Sequence, residues 1–192
     1  RNPALFDGSG SPIGQAQPRP SSAPPQAETE RMKKVAKNVL DAMAPLVKEG
    51  QVRVTQSPRG ITVEINASVL FAPGESVLQP SSIETLTAVA KVLAEVDNPI
   101  QVEGHTDNVP IKSPLFPSNW ELSSARAGSV VRLFTEQGVP PARLVAIGYA
   151  DNRPLDTNAT PEGRARNRRV NILILHERQG EVHEIQLSPE KL

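Results

Sequence analysis

Residues 99–126 read PIQVEGHTDNVPIKSPLFPSNWELSSAR, and this stretch carries the clearest signals for the fold. Apolar and polar residues alternate over 100–103, a period of two that predicts a half-buried strand ending at Gly104. Four polar residues follow at once: His105, Thr106, Asp107 and Asn108. Because open α/β sheets place ligand-contacting groups at the carboxyl ends of their strands, we expect a binding site here.

The loop after this strand is restricted by three prolines, and a helix follows it. Three apolar side chains of the loop have no evident core role and are expected either to roof the site or to form a small apolar patch: Ile111, Leu115 and Phe116. Ser118 and Glu121 have the spacing of a capping box, which predicts that the helix starts near Asn119.

Arg126 falls in the middle of the apolar face of this helix, and a charge there needs an explanation. In one interpretation its side chain extends past the edge of the sheet to reach water, or it pairs with a structural carboxylate such as Glu103. In the other it works with Asp107 as a clamp for a small zwitterion, the guanidinium binding a carboxylate and the Asp binding an ammonium. Both interpretations fit the pattern.

Several ordered blocks between residues 51 and 175 resemble one known family: VEGHTDN, NWELSSARA, GY and GRARNRRV. Together they are similar to the OmpA-like peptidoglycan-binding domains. The spelling HTDNVPI…FPSNWELSSARA is most similar to the periplasmic region of MotB-type flagellar motor stator subunits. Agreement over several blocks is far more specific than one short motif.

The resemblance implies a ligand, a site and a setting. The ligand would be diaminopimelate in the peptide stems of the cell wall, bound by Asp107 and Arg126. Further site residues would be Phe71, Thr106, Asn119, Leu122 and Arg168. The domain would lie in the periplasm, as part of a single-pass inner-membrane protein whose membrane helix is absent from this chain. It would form a homodimer and join an ion-channel subunit of the stator through that helix.

The composition bounds the other possibilities. The chain has 192 residues with 21 basic and 21 acidic side chains, so its net charge gives no argument for a nucleic-acid partner. The arginines within 164–169 lack interleaved aromatic residues and are interpreted as a solvated helix face. There is no cysteine, which excludes disulfides, thiolate metal sites and a cysteine nucleophile.

The pattern along the chain predicts four segments. Residues 1–27 hold six of the 19 prolines and are interpreted as a flexible linker, and 28–50 form an accessory amphipathic helix that Pro45 kinks or ends. Residues 51–176 form the binding domain and 177–192 a polar tail. The expected fold is α+β, a two-layer sandwich with helices on one face of a mixed sheet. It begins with a hairpin, and a second capping box at Ser81 and Glu84 opens another helix.

The residues also bear on three other functions: a metal site, a cell-wall hydrolase and a general envelope tether. His105 and Asp107 are two residues apart but lack further metal ligands nearby, so no metal site and no cofactor are expected. A cell-wall hydrolase would need a metal site, a cysteine or an activated serine, and the candidate serines have structural explanations, so we expect a non-enzymatic protein. A general tether between envelope and wall, of the OmpA or lipoprotein kind, remains the alternative to a stator anchor.

Overall fold

The computed structural model describes residues 26–176, so the tail over 177–192 and nearly all of the predicted linker lie outside the described residues. The helices are α1 (Gln26–Ala42), α2 (Ala44–Lys48), α3 (Ala67–Leu70), α4 (Pro80–Ala94), α5 (Asn119–Glu136) and α6 (Pro161–Asn167). The strands are β1 (Val52–Ser57), β2 (Gly60–Asn66), β3 (Ile100–His105), β4 (Leu144–Gly148) and β5 (Arg169–Leu175). A short 3₁₀ helix, Pro141–Arg143, precedes β4.

The five strands form one mixed sheet in the order β1-β2-β5-β3-β4. Only β3 and β4 run parallel, and the other neighbours are antiparallel. The predicted mixed sheet is therefore confirmed. Strand β3 lies between β5 and the edge strand β4, so both of its sides are paired.

Three helices cover one face of the sheet. α5 packs on β3 and β4, α4 packs on α5, and α1 packs on α4 and reaches the hairpin β1–β2. The register aligns Val63, Ile172 and Val102 across three neighbouring strands, and all three are fully buried beneath the helices. The two-layer α+β class predicted from the sequence is confirmed.

Two paired glycines let α5 approach the sheet closely. Gly104 of β3 lies opposite Gly148 of β4. A Cβ on Gly104 would lie 2.0 Å from the carbonyl oxygen of Ser123, and one on Gly148 would lie 2.1 Å from the Ser124 hydroxyl oxygen. No real Cβ tolerates such distances, so glycine at both positions is what sets the first turns of α5 beside the end of β3.

The break in the accessory helix that Pro45 predicts is present, whereas the start of α4 differs from the prediction. The accessory helix is divided in two, because α1 ends at Ala42 and Pro45 stands in the first turn of α2, where its missing N–H is harmless. The predicted capping box at Ser81 is wrong. The N-cap is Gln79, two residues before Ser81, and α4 starts at Pro80, whose fixed φ suits the first turn; no side chain caps the helix.

Candidate ligand-binding site

A cavity of about 630 Å³ opens at the C-terminal end of β3. Its walls come from α3, the segment after it, the first turns of α5, the start of the 107–117 loop and the end of α6. The seven site residues named from the sequence all line it: Phe71, Thr106, Asp107, Asn119, Leu122, Arg126 and Arg168. The tertiary structure thus gathers residues that span almost a hundred positions of the chain.

Asp107 is the one carboxylate among the residues that line this cavity, and both its oxygens are engaged. Oδ1 accepts the backbone N–H of Val109 at 3.0 Å, and Oδ2 accepts Nη1 of Arg168 at 2.6 Å. The side chain of Asp107 is 9% exposed and that of Arg168 is 41% exposed. The carboxylate is therefore fixed in orientation, while its partner reaches it from the open side.

Arg126 is buried, yet it is held by neutral groups. Nε donates to the Glu75 carbonyl at 2.8 Å and Nη2 to the Ala72 carbonyl at 3.4 Å, and the guanidinium lies 5.1 Å from the centre of the Phe71 ring. Within residues 26–176, no carboxylate oxygen of an Asp or Glu side chain lies within 4.0 Å of this guanidinium. Glu103 as its structural partner is therefore wrong.

The electrostatic setting of Arg126 follows from this geometry. Burial, followed by repulsion from Arg168, lowers its pKa to about 10, and attraction to Asp107 and Glu75 only partly offsets them. At neutral pH the group is still protonated. A buried cation without a carboxylate partner, facing a cavity, is suited to bind an anion of the ligand.

The remaining predicted residues shape the site. Phe71 and Leu122 are buried and form apolar wall. Asn119 donates to the carbonyls of Val109 at 3.0 Å and Asp107 at 3.4 Å, and the Thr106 hydroxyl donates to the Asp107 carbonyl at 2.8 Å. Asn119 and Thr106 thus hold the backbone that carries the Asp107 carboxylate.

The cap of α5 aligns its cavity-facing side chains. The Ser118 hydroxyl accepts the N–H of Trp120 at 3.1 Å and bonds to the Glu121 carboxylate, whose pKa it lowers. The helix starts at Asn119 as predicted. The spacing from Asn119 to Leu122 and Arg126 then places all three on the side of the helix that faces the cavity.

The apolar residues of the 107–117 loop and the arginines of α6 can now be placed relative to the cavity. Of the three apolar loop residues, Ile111 lines the cavity, Phe116 is buried and Leu115 is exposed. Arg164 also lines the cavity, which the interpretation of the basic helix as a solvated face missed. Its position four residues before Arg168 was the available signal, since side chains at that spacing share a helix face.

His105 does not join the site, although it precedes Thr106 directly. Residues alternate between the faces of a strand, so His105 lies on the face opposite the helices. There its Nε2 lies 3.3 Å from Oε2 of Glu103 and its ring stacks on Tyr149, with centroids 5.2 Å apart. No cluster of three or more His, Cys, Asp or Glu side chains able to hold a metal occurs within 26–176.

The fold and the cavity together define a small α+β domain with a charged cleft at the C-terminal end of β3. Residues 70–168 match the model of the OmpA family, and the chain belongs to that family. It is 33% identical to Motility protein B of Bacillus subtilis (strain 168), over 82% of this chain and 61% of that protein. The resemblance to OmpA-like domains and to their MotB-type members is confirmed.

Solved structures give the same result. A putative MotB-like protein from Desulfovibrio vulgaris superimposes with a TM-score of 0.71 at 30% identity, over 79% of this chain and 98% of that one. The cell wall anchor of the T6SS from Pseudomonas aeruginosa does so with a TM-score of 0.68 at 36% identity, over 72% and 97%. The chain spans about half to two thirds of the length of the curated relatives it matches.

No helix between residues 26 and 176 has the length and hydropathy to cross a membrane.

Proposed function

We propose that the domain is a non-catalytic peptidoglycan-binding module that recognises diaminopimelate in the peptide stems of the cell wall. Arg126 binds the carboxylate at the end of the diaminopimelate side chain, and Asp107 binds the ammonium on the same carbon. The observation that carries the proposal is the buried guanidinium of Arg126, which shares a cavity with the Asp107 carboxylate but has no carboxylate of its own.

A ligand carboxylate in the cavity would stabilise Arg126 more than its present contacts do. Arg126 has lost much of its hydration and gained only two carbonyl acceptors and a ring contact. A bidentate carboxylate supplies charge-assisted hydrogen bonds that carbonyl oxygens do not match. The apolar wall formed by Phe71 and Leu122 excludes water and strengthens these contacts.

We further propose that the module anchors a flagellar motor stator to the wall. Similarity to Motility protein B over 82% of the chain supports this role. In this proposal the chain is the periplasmic part of a single-pass inner-membrane protein, which forms a homodimer and joins an ion-conducting subunit through a membrane helix outside this chain. Two modules would then hold one stator against the wall.

A second candidate is a wall tether for another envelope assembly. The structural similarity to the cell wall anchor of the T6SS favours it. The two roles share the ligand and differ in what is anchored. Swimming of cells that carry a site-disrupted copy of the full-length gene separates them, since loss of swimming with flagella intact supports the stator role.

The binding proposal is tested by pelleting the purified protein with insoluble peptidoglycan. We expect Asp107→Asn and Arg126→Met each to weaken pelleting at least about tenfold, because each strands a ligand charge in the cleft. Arg132→Gln is the matched control: it removes an arginine from the same helix, but its side chain is 67% exposed and outside the cavity. Undiminished pelleting by Arg126→Met would refute the clamp, and release of soluble wall fragments would refute the non-catalytic assignment.

A further inference from the structure

The charges around the cavity exceed what a single zwitterionic group can balance. Asp107 supplies one carboxylate, whereas Arg126, Arg164 and Arg168 supply three guanidinium groups. One ammonium and one carboxylate of a ligand would leave the positive excess unchanged. The cavity therefore favours a ligand with more carboxylates than ammonium groups.

The excess positive charge is concentrated on the side of the cavity that α6 forms. Arg164 donates from Nη1 to the carbonyl of Asn158 at 2.9 Å, a neutral acceptor that leaves its charge uncompensated. Arg168 is attracted to one charged residue of the cavity and repelled by another. It pairs with Asp107, and its charge is close enough to Arg126 to help lower the pKa of that group.

The Asp107 carboxylate also limits how an ammonium can bind. Its Oδ1 is engaged by the Val109 N–H and its Oδ2 by Arg168. A ligand ammonium must therefore share Oδ2 with Arg168 or replace it. Replacement is favourable if the guanidinium of Arg168 finds another anion as it leaves.

We propose that Arg164 and Arg168 form a second anionic subsite, which binds a further free carboxylate of the stem peptide next to the zwitterionic residue. The inference rests on the proposed function and specifies the ligand more narrowly. When the second carboxylate binds, Arg168 exchanges Asp107 for it, and Oδ2 becomes available to the ammonium. The two halves of the site are then thermodynamically coupled.

The size of the cavity agrees with this ligand. About 630 Å³ is within the range of pockets that enclose drug-sized ligands, and it exceeds the needs of one amino-acid side chain. In a wall stem, two residues next to diaminopimelate carry a free carboxylate: the γ-linked D-glutamate before it and a terminal D-alanine after it. Both offer the same chemistry to the arginines.

The experiment is calorimetric titration at low ionic strength with the synthetic tetrapeptide L-Ala–γ-D-Glu–meso-diaminopimelate–D-Ala. Three forms are compared: both neighbouring carboxylates free, the glutamate carboxylate amidated, and the alanine carboxylate amidated. We expect one amidation to weaken binding by about three- to tenfold, the range for partly exposed charge pairs with good geometry. The sensitive carboxylate identifies the residue that occupies the subsite.

Variants assign the effect to the arginines. In the double variant Arg164→Gln/Arg168→Gln, the free and amidated peptides should bind equally. The control Arg166→Gln should keep the full difference, since Arg166 lies on the same helix but pairs with Asp156 and does not line the cavity. A purely structural role of the arginines would weaken all three peptides alike.

The outcomes are distinct for the two proposals. If wild type binds all three peptides equally well, the second subsite is refuted and the diaminopimelate clamp stands. If the difference persists in the double variant, the subsite is refuted as well. If wild type binds neither the peptides nor insoluble wall, the proposed function fails and the subsite fails with it.

Discussion

The guanidinium of Arg168 donates to the carboxylate of Asp107 across 2.6 Å, joining the end of β3 to a residue 61 positions later in the chain. This ion pair, together with the N–H of Val109, fixes the orientation of the Asp107 carboxylate at the edge of the cleft. It is also partly open to water, because the Arg168 side chain is 41% exposed. Its contribution to folding and its contribution to binding can therefore be separated.

Arg168→Gln should destabilise the domain by less than about 1 kcal/mol. Solvent screens the pair, and Asp107 keeps its bond from the Val109 N–H. Urea unfolding at neutral pH measures the change. A loss of about 3 kcal/mol or more would show that the pair is a structural requirement of the fold.

Arg126→Met should remove wall binding yet change stability by no more than about 1 kcal/mol. The substitution gives up two hydrogen bonds to carbonyls and also removes the cost of burying a charge without a carboxylate partner, and these effects oppose each other. Thermal melting of the purified variant is the measurement. If Arg126→Met melts before it can be assayed, Arg126 has a structural role that the contacts do not reveal.

Gly104→Ala should destabilise the domain by about 3 kcal/mol. The added Cβ would meet the Ser123 carbonyl oxygen at 2.0 Å, which forces α5 away from the sheet. Gly128→Ala, which adds the same methyl group to α5 itself, is the matched control. A Cβ there meets nothing within 4 Å, so we expect a gain of about 0.5–1 kcal/mol from helix propensity. Urea unfolding gives the free energy of unfolding of both variants. Equal changes in the two would contradict the conclusion that, of these two glycines, only Gly104 is closely packed.

Stability should fall as the pH is lowered from 7 to 5, because of His105. Burial, partly opposed by the hydrogen bond to Glu103, lowers the pKa of His105 below its usual value. The unfolded chain therefore binds the proton more readily than the folded one, and stability present above the unfolded pKa is lost as the pH falls towards the folded pKa. In the structure of residues 26–176, the imidazole Nδ1 has no hydrogen-bond partner for the extra proton.

Urea unfolding at pH 7 and pH 5 measures this dependence. His105→Gln should show a smaller difference between the two pH values than wild type. An unchanged dependence in His105→Gln would assign the titration to another group.

Two residues of the candidate site are indicated by the sequence pattern itself, because each has an unusual feature for its position, whereas the other five follow only from the family resemblance. Arg126 stood out as a charge on an apolar helix face, and Asp107 as an acid directly after a buried strand. Arg164 does not stand out in composition on a basic helix, and only its spacing of four residues from Arg168 indicates that it faces the cavity. His105 was grouped with the site because adjacency along the chain was more visible than the alternation that turns it to the other face.

The sequence by itself determined the main helices and strands, the mixed α+β class and the family, since periodicity, the α5 cap and several ordered motifs are local properties of the chain. Only the tertiary structure decided which charges are paired. Asp107 is neutralised by Arg168 and Arg126 is not, because strand order and the close approach of α5 over Gly104 and Gly148 fix distances between residues that are remote in sequence. Electrostatic interactions depend on those distances and on burial, and neither is encoded in the spacing of residues along the chain.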